Sequence, residues 1–137
     1  MLWRKAIIYW RSFLVICAIA YVSLLREPNV TLPPIVGIDK YIHGVMYWFL
    51  TCVLLWDSIG MEWYRGGNGK GKYHSYKGWL VVIILPMTYG GFIEILQDKF
   101  FYPRTGDWRD WLADCAGVLL GAVLWIIGKK WYERRMA

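Results

Sequence analysis

The 137-residue sequence contains few charged residues: they make up 19% of the chain, against about 25% in ordinary soluble domains. Hydrophobic residues make up 58% and aromatic residues 18%. A soluble chain of this length has no core large enough to bury so much apolar surface. Contact with lipid therefore explains the composition better than a soluble four-helix bundle, which is the alternative reading.

The sequence also lacks the residue patterns of several common functional classes. Its three cysteines, Cys17, Cys52 and Cys115, all lie in apolar segments, which predicts core side chains rather than disulfides or metal ligands. No histidine pair has the spacing of a zinc site, so we predict no metal site and no cofactor. The glycine-rich segment 60–78 lacks the full pattern of a phosphate-binding loop.

Four apolar segments run through the chain, each close to the roughly 20 residues with which a helix crosses a bilayer. We predict an all-α, polytopic membrane protein with a single transmembrane domain over residues 1–137. Its four transmembrane helices are expected at about residues 6–25, 39–60, 79–97 and 107–128, with a flexible cytoplasmic loop at 61–78. The first segment also has features of a cleaved signal peptide, but its length and the interrupting Arg11 favour a retained helix.

The net charge of +6 follows the positive-inside rule, which explains it better than a nucleic-acid partner does. If the N-terminus is cytoplasmic and the chain crosses four times, eleven of the 16 basic residues lie on the cytoplasmic side: Arg4, Lys5, Arg11, Arg65, Lys70, Lys72, Lys77, Lys129, Lys130, Arg134 and Arg135. The outer side holds Arg26, Lys40, Lys99, Arg104 and Arg109. We therefore predict that both termini are cytoplasmic and that nucleic acid is not a partner.

Polar residues recur at helical spacing near one end of the last three segments. In the second segment Asp39, His43 and Tyr47 follow at i, i+4 and i+8 and share one helical face. The third segment ends with a polar pair, the fourth begins with three aligned carboxylates, and an arginine precedes the fourth: Glu94, Gln97, Asp107, Asp110, Asp114 and Arg104. All lie on the outer side in this topology, so we expect them, with Lys40, to line an outward-facing, water-accessible pocket.

Several of these residues also have a structural interpretation. Asp107 has the position of a helix N-cap, where a carboxylate binds free backbone N–H groups. Gly90, and the Gly117-x-x-x-Gly121 pair, are expected to let neighbouring helices approach closely. Arg11 lies at the cytoplasmic end of its segment, where its long side chain reaches the interface.

The segments "DKYIHGVMY" and "GGFIEILQDKFFYPRTGDWRDWLADCAGVLLG" resemble the VanZ-like family of small bacterial membrane proteins. The family pattern has an Asp-Lys pair, a His with a Tyr four residues later, Glu-x-x-Gln, an Arg followed by a polar residue, and Asp-x-x-x-Asn/Asp before Gly-x-x-x-Gly. The matching positions are Asp39, Lys40, His43, Tyr47, Glu94, Gln97, Arg104, Thr105, Asp110, Asp114, Gly117 and Gly121. Asp114 departs from the pattern, since many members carry Asn there.

The resemblance implies a multi-pass protein of the bacterial cytoplasmic (inner) membrane, in a family whose founding member is linked to resistance to teicoplanin, a lipid-tailed glycopeptide. Together with the predicted pocket, it favours binding of a membrane lipid headgroup, a lipid-linked cell-envelope precursor or a lipophilic glycopeptide. The alternative is a membrane-embedded hydrolase or transferase that acts on a lipid-linked or phosphate-bearing substrate, in which carboxylates would hold a divalent cation such as Mg²⁺. A proton-conducting role ranks last, because the polar residues stop within one leaflet.

Overall fold

A computed structural model describes residues 7–25, 37–64, 76–101 and 105–136, and within these residues the chain is helical and contains no strand. Four long helices follow one another: α1 (Trp10–Leu25), α2 (Ile38–Tyr64), α3 (Tyr76–Phe100) and α4 (Trp108–Met136). A turn at Tyr9 separates α1 from the helical residues 7–8. The all-α class is therefore confirmed for this part of the chain.

The last three helices extend past the apolar limits from which they were predicted. Residues 61–64 and 76–78, expected to be loop, belong to α2 and α3, while residues 65–75 lie outside the described residues. The helix α4 continues beyond residue 128 to Met136. Its last turns contain strong helix formers, and the Arg135 guanidinium lies 3.9 Å from the centroid of the Trp131 ring, one turn earlier. Helical propensity thus continues where hydrophobicity ends.

Three of the helices are long and apolar enough to cross a membrane: Ile38–Ile59, Gly78–Phe100 and Trp108–Tyr132. The first helix has 16 residues and is therefore about 24 Å long. A bilayer core is about 30 Å thick, so α1 alone falls short of that length. Three apolar helices of this length favour an integral membrane protein, and the fourth span remains a prediction.

Large apolar side chains remain exposed on every helix, among them Phe13 on α1, Phe49 on α2, Phe92 on α3 and Ile127 on α4. On α3 they form an apolar groove of about 710 Å³. Soluble monomers rarely expose extended apolar surface on all of their helices. The outward surface is thus suited to acyl chains.

Two glycines bring the backbones of α2 and α4 into direct contact. A Cβ atom on Gly117 would collide with the Gly44 carbonyl oxygen and lie 3.0 Å from the Trp48 nitrogen. A Cβ atom on Gly121 would lie 3.1 Å from both the Trp48 oxygen and the Thr51 Cβ. Because backbone atoms cannot move aside as a flexible side chain does, only glycine permits this approach.

Beside that contact, the core consists of Ile19, Tyr47, Leu50, Leu54 and Val118. The first helix is attached to it partly through its own main chain. The Tyr89 hydroxyl donates to the Ile16 carbonyl at 2.7 Å, and the Gln97 side-chain amide donates to the Ser23 carbonyl at 2.9 Å. Gln97 therefore links α3 to α1.

We expect Gly117→Ala to lower the free energy of unfolding by about 1–3 kcal/mol, because the added methyl group forces two backbones apart. The matched control is Gly128→Ala, where an added Cβ meets nothing within 4 Å and helix propensity improves by up to about 1 kcal/mol. Thermal unfolding in detergent, followed by circular dichroism, measures both. Equal midpoints for the two variants would contradict the close α2–α4 contact.

Candidate functional site

The start of α2, the end of α3 and the start of α4 place six polar side chains together. We call this set the polar cluster: Lys40, His43, Glu94, Asp107, Asp110 and Asp114. The close contact between α2 and α4 at the glycines brings these side chains together, since Gly44 follows His43 and Gly117 lies three residues after Asp114. Residues up to 74 positions apart in sequence therefore meet at one end of the bundle.

The deeper half of the cluster, which we call the buried triad, consists of His43, Glu94 and Asp114. The His43 Nδ1 atom lies 3.0 Å from Asp114 Oδ1 and 3.9 Å from Glu94 Oε1. All three residues are buried, and only 1% of Asp114 is exposed. With a proton on Nδ1, the imidazole donates a hydrogen bond to Asp114 and faces the second carboxylate at slightly longer range.

Three buried oxygen atoms around the triad have no hydrogen-bond partner among the described residues: Glu94 Oε1, Asp114 Oδ2 and the Tyr47 hydroxyl. Tyr47 lies one turn after His43 on α2 and is 1% exposed. Its ring packs against Tyr89 with the centroids 6.3 Å apart, and its hydroxyl is within electrostatic range of Asp114 and Glu94. Buried polar atoms normally have partners, so these three oxygens have hydrogen-bonding capacity that a polar ligand or a water molecule would satisfy.

The shallower half of the cluster, which we call the rim, consists of Lys40, Asp107 and Asp110. The Lys40 ammonium lies 3.1 Å from Asp110 Oδ1 and 3.4 Å from Asp107 Oδ2. The side chains of Lys40 and Asp107 are 39% and 38% exposed. The rim is thus the part of the cluster that a ligand in solution or at a membrane surface reaches first.

Asp107 is the N-cap of α4. Its Oδ1 atom accepts a hydrogen bond from the Arg109 backbone N–H at 2.9 Å, as an N-cap carboxylate does. Its own backbone N–H donates to Glu94 Oε2 at 2.9 Å. In a capping box, the carboxylate that accepts the N-cap backbone N–H belongs to a Glu within the same helix. Here that carboxylate belongs to Glu94 of α3. One end of Glu94 is therefore fixed by the α4 N-terminus while the other faces His43.

Glycines provide space for the Asp114 carboxylate and for the backbone of Glu94. A Cβ atom on Gly90 would lie 2.6 Å from Asp114 Oδ2, and one on Gly106 would lie 2.5 Å from the Glu94 carbonyl oxygen. On the next residue of α3, Gly91 faces the Trp111 indole, which donates to the Met87 carbonyl at 2.9 Å. Gly90 was predicted only as a packing position, but its closest neighbour is the buried carboxylate.

Three other predicted site residues are not part of the polar cluster as defined above. Gln97 points to α1 rather than to the triad. Asp39 lies at the first turn of α2, is partly exposed, and has a carboxylate oxygen within 4.8 Å of the ligand atoms of His43 and Asp110. Arg104 lies outside the described residues, so its predicted place beside the carboxylates stays a prediction.

The structure also contains a second buried polar group, which the sequence pattern did not indicate. Asp57, fully buried, accepts hydrogen bonds from the Ser12 hydroxyl at 2.8 Å and the Ser12 backbone N–H at 3.1 Å. The Arg11 Nε atom lies 3.1 Å from Asp57 Oδ1. Arg11 was predicted to reach the interface, and the structure adds a pairing with a carboxylate on another helix, 46 residues away in sequence.

Two sets of side chains have the geometry to hold a cation. The ligand atoms of His43, Glu94 and Asp114 lie within 4.8 Å of one another, and so do those of Asp39, His43 and Asp110. Both sets share His43. Each set combines residues from more than one helix, so no spacing motif in the sequence reveals it. The absence of a zinc motif therefore has no bearing on a site assembled in this way.

Comparison with known proteins supplies no relative: no family, no curated protein and no solved structure matches this chain. The chemistry of the site is therefore derived from its own geometry.

We expect the contribution of Asp107 to stability to fade at acid pH. The Arg109 backbone N–H, and then the Lys40 ammonium, lower the pKa of the Asp107 carboxyl below its ordinary value of 3.8. A carboxyl whose pKa is depressed by folding stabilises the fold above its unfolded pKa and loses this effect as the pH falls through its folded pKa.

The check is thermal unfolding in detergent of the wild type and of Asp107→Asn, which keeps the capping oxygen but carries no charge. The wild type should unfold at the higher temperature at pH 6, and the difference should shrink towards pH 3. A difference that is constant across this range would show that the Asp107 charge does not contribute.

Proposed function

We propose that the chain is a multi-pass protein of a bacterial cytoplasmic membrane, with four spans and both termini in the cytoplasm. The three long apolar helices, the exposed apolar surface and the distribution of basic residues support this orientation. The polar cluster then lies at the outer surface, because α2 and α4 begin and α3 ends there. In this arrangement α1 crosses with help from flanking residues.

Alkaline phosphatase is an enzyme that is active only in the periplasm. We expect it to be inactive when it is fused after residue 137. The same reporter inserted after residue 101, in the connection between α3 and α4, should be active. This pair follows from the excess of basic residues on the proposed inner side. An active C-terminal fusion would reverse the orientation and move the polar cluster to the cytoplasmic surface.

We further propose that the polar cluster binds the headgroup of a membrane lipid or of a lipid-linked cell-envelope precursor that carries an amine. The observation on which this rests is the composition of the cluster. Among the described residues, the four carboxylates of Glu94, Asp107, Asp110 and Asp114 contact two basic side chains, Lys40 and His43. Such an acidic site attracts a cationic group, and Lys40 at the rim is placed to pair with an adjoining phosphate.

The apolar surroundings fit the same class of ligand. Exposed Tyr41 and Val45 on α2, and Trp108 and Leu112 on α4, lie beside the rim. A ligand with a polar head and an acyl tail would place its head in the cluster and its tail along these side chains. The VanZ-like resemblance adds a lipid-tailed glycopeptide to the candidate ligands. On the same resemblance we propose a contribution to glycopeptide resistance.

An enzyme is the second candidate, and the imidazole of His43 between two carboxylates favours it. A histidine held by an acidic partner is a general base once its free nitrogen reaches a reacting proton. A hydrolase or transferase that acts on a lipid-linked or phosphate-bearing substrate would use the buried triad in this way. Turnover of labelled lipid intermediates by the purified protein would favour this candidate over binding alone.

The binding proposal predicts a preference for phosphatidylethanolamine over phosphatidylglycerol, which lacks the amine. The double variant Asp107→Asn/Asp110→Asn should weaken phosphatidylethanolamine binding about tenfold or more, because each charge-assisted hydrogen bond is worth about 1.5–3 kcal/mol. Native mass spectrometry of the detergent-solubilised protein, titrated with each lipid and with teicoplanin, measures the affinities.

The control is Asp98→Asn, which removes an exposed charge at the same end of the bundle. Equal affinity for the two lipids, or an equal loss in Asp98→Asn, would contradict headgroup binding at the rim. Tight, rim-dependent binding of teicoplanin alone would identify the glycopeptide as the ligand.

A further inference from the structure

The buried triad differs from the rim in that no lysine or arginine contacts it within the described part of the chain. Lys40 contacts the two rim carboxylates, whereas among the described residues the carboxylates of Glu94 and Asp114 have the imidazole of His43 as their one basic partner. When both are ionised, two buried carboxylates beside one imidazole carry an excess of negative charge even with the imidazole protonated. Uncompensated charge in an apolar interior is costly, and a bound cation offsets it.

We propose that His43 Nδ1, Glu94 Oε1 and Asp114 together bind one divalent transition-metal ion. This inference concerns the buried half of the polar cluster, whereas headgroup binding is tested through the two rim carboxylates Asp107 and Asp110, so the two proposals can fail separately.

The distances fit shared coordination. Atoms about 2.1 Å from one ion lie about 3.0 Å apart at a right angle and about 3.4 Å apart at a tetrahedral angle. The His43 Nδ1 atom lies 3.0 Å from Asp114 Oδ1 and 3.9 Å from Glu94 Oε1. The first separation matches a right angle, and the second exceeds the tetrahedral value by about 0.5 Å, so a small rotation of the Glu94 side chain completes the site.

Buried oxygens that lack partners point independently to a ligand at this position. Glu94 Oε1 and Asp114 Oδ2 accept no hydrogen bond within the described part of the chain. The Tyr47 hydroxyl, buried on the same face of α2 as His43, is likewise without one there. An ion bound to the carboxylates satisfies their oxygens, and a water molecule on its open position offers a partner to the tyrosine hydroxyl.

The donor set indicates the class of metal. One imidazole nitrogen and two carboxylate oxygens suit Zn²⁺ or Mn²⁺ better than Mg²⁺ or Ca²⁺, which bind almost wholly through oxygen. Three protein ligands leave coordination positions open. The second oxygen of Glu94 accepts the Asp107 backbone N–H at 2.9 Å, an outer contact of the kind that orients metal-binding carboxylates.

The other set with suitable spacing, Asp39, His43 and Asp110, is the weaker candidate. Asp110 is already paired with Lys40 at 3.1 Å, and a second cation there would repel the ammonium group. Asp39 is only partly buried. The triad has neither disadvantage.

The test uses the full chain in detergent, stripped with EDTA and titrated with Zn²⁺ or Mn²⁺ alone, without lipid. We expect one saturable ion per chain by isothermal titration calorimetry. Asp114→Asn and Glu94→Gln should each weaken binding at least about tenfold. In the Mn²⁺ form, electron spin echo spectra should show coupling to a ¹⁴N nucleus that disappears in His43→Asn.

Gly90→Ala keeps every ligand but adds a Cβ atom 2.6 Å from Asp114 Oδ2. We therefore expect it to lower the affinity for the ion by displacing that carboxylate. Asp57→Asn is the matched control, since it removes an equally buried carboxylate at the other end of α2. The affinity of this variant for the ion should be unchanged. Asp39→Asn should also bind normally.

Circular dichroism and gel filtration check that each variant folds, and the wild-type titration tests the proposal without any variant. Absence of saturable binding to the wild type would overturn it, as would an equal loss in Asp57→Asn or a loss confined to Asp39→Asn. Because no lipid is present, a failure here leaves headgroup binding standing, and failure of headgroup binding leaves the metal site standing.

Discussion

The direct backbone contact between α2 and α4 is the constraint on which the rest of this structure depends. With glycine at 117 and 121, the two helices approach until the Gly44 carbonyl and the Trp48 backbone lie against α4. That contact fixes the register, because one turn of slippage would move Asp114 about 5 Å along the axis, away from His43. The pairing of Lys40 with Asp110 and of His43 with Asp114 follows from it. Packing of small residues thus sets the position of groups that they do not touch.

Buried carboxylates in this bundle differ in whether a lysine or arginine contacts them within the described residues. Asp57 accepts both bonds from Ser12 at one oxygen, and its other oxygen, which has no hydrogen-bond donor, pairs with the Arg11 guanidinium at 3.1 Å. The carboxylates of Glu94 and Asp114 share one imidazole and keep unsatisfied oxygens. A fold keeps such incomplete satisfaction where something else completes it.

The helical class and the meeting of polar residues at one end of the bundle could be predicted from the sequence, because both follow from hydrophobic length and from i, i+4 spacing. Asp39, His43 and Tyr47 share a face of α2 for that reason. Spacing carries no information about partners, however. It did not show that Asp110 is buried while Lys40 and Asp107 are partly exposed, or that Gln97 turns to the Ser23 carbonyl. It also missed the pairing of Arg11 with Asp57, and it gave Gly90 no role beyond packing.

The way in which α1 joins the bundle has a consequence for its own sequence. Tyr89 and Gln97 bind the carbonyl groups of Ile16 and Ser23, and Asp57 accepts a backbone N–H from Ser12. These bonds recognise main-chain groups: every residue supplies the carbonyl, and every residue except proline supplies the N–H. The side chains at 16 and 23 can therefore change without loss of the two carbonyl bonds. The side chains of Arg11 and Ser12, which bind Asp57, do not have this freedom, and neither do the glycines of α4.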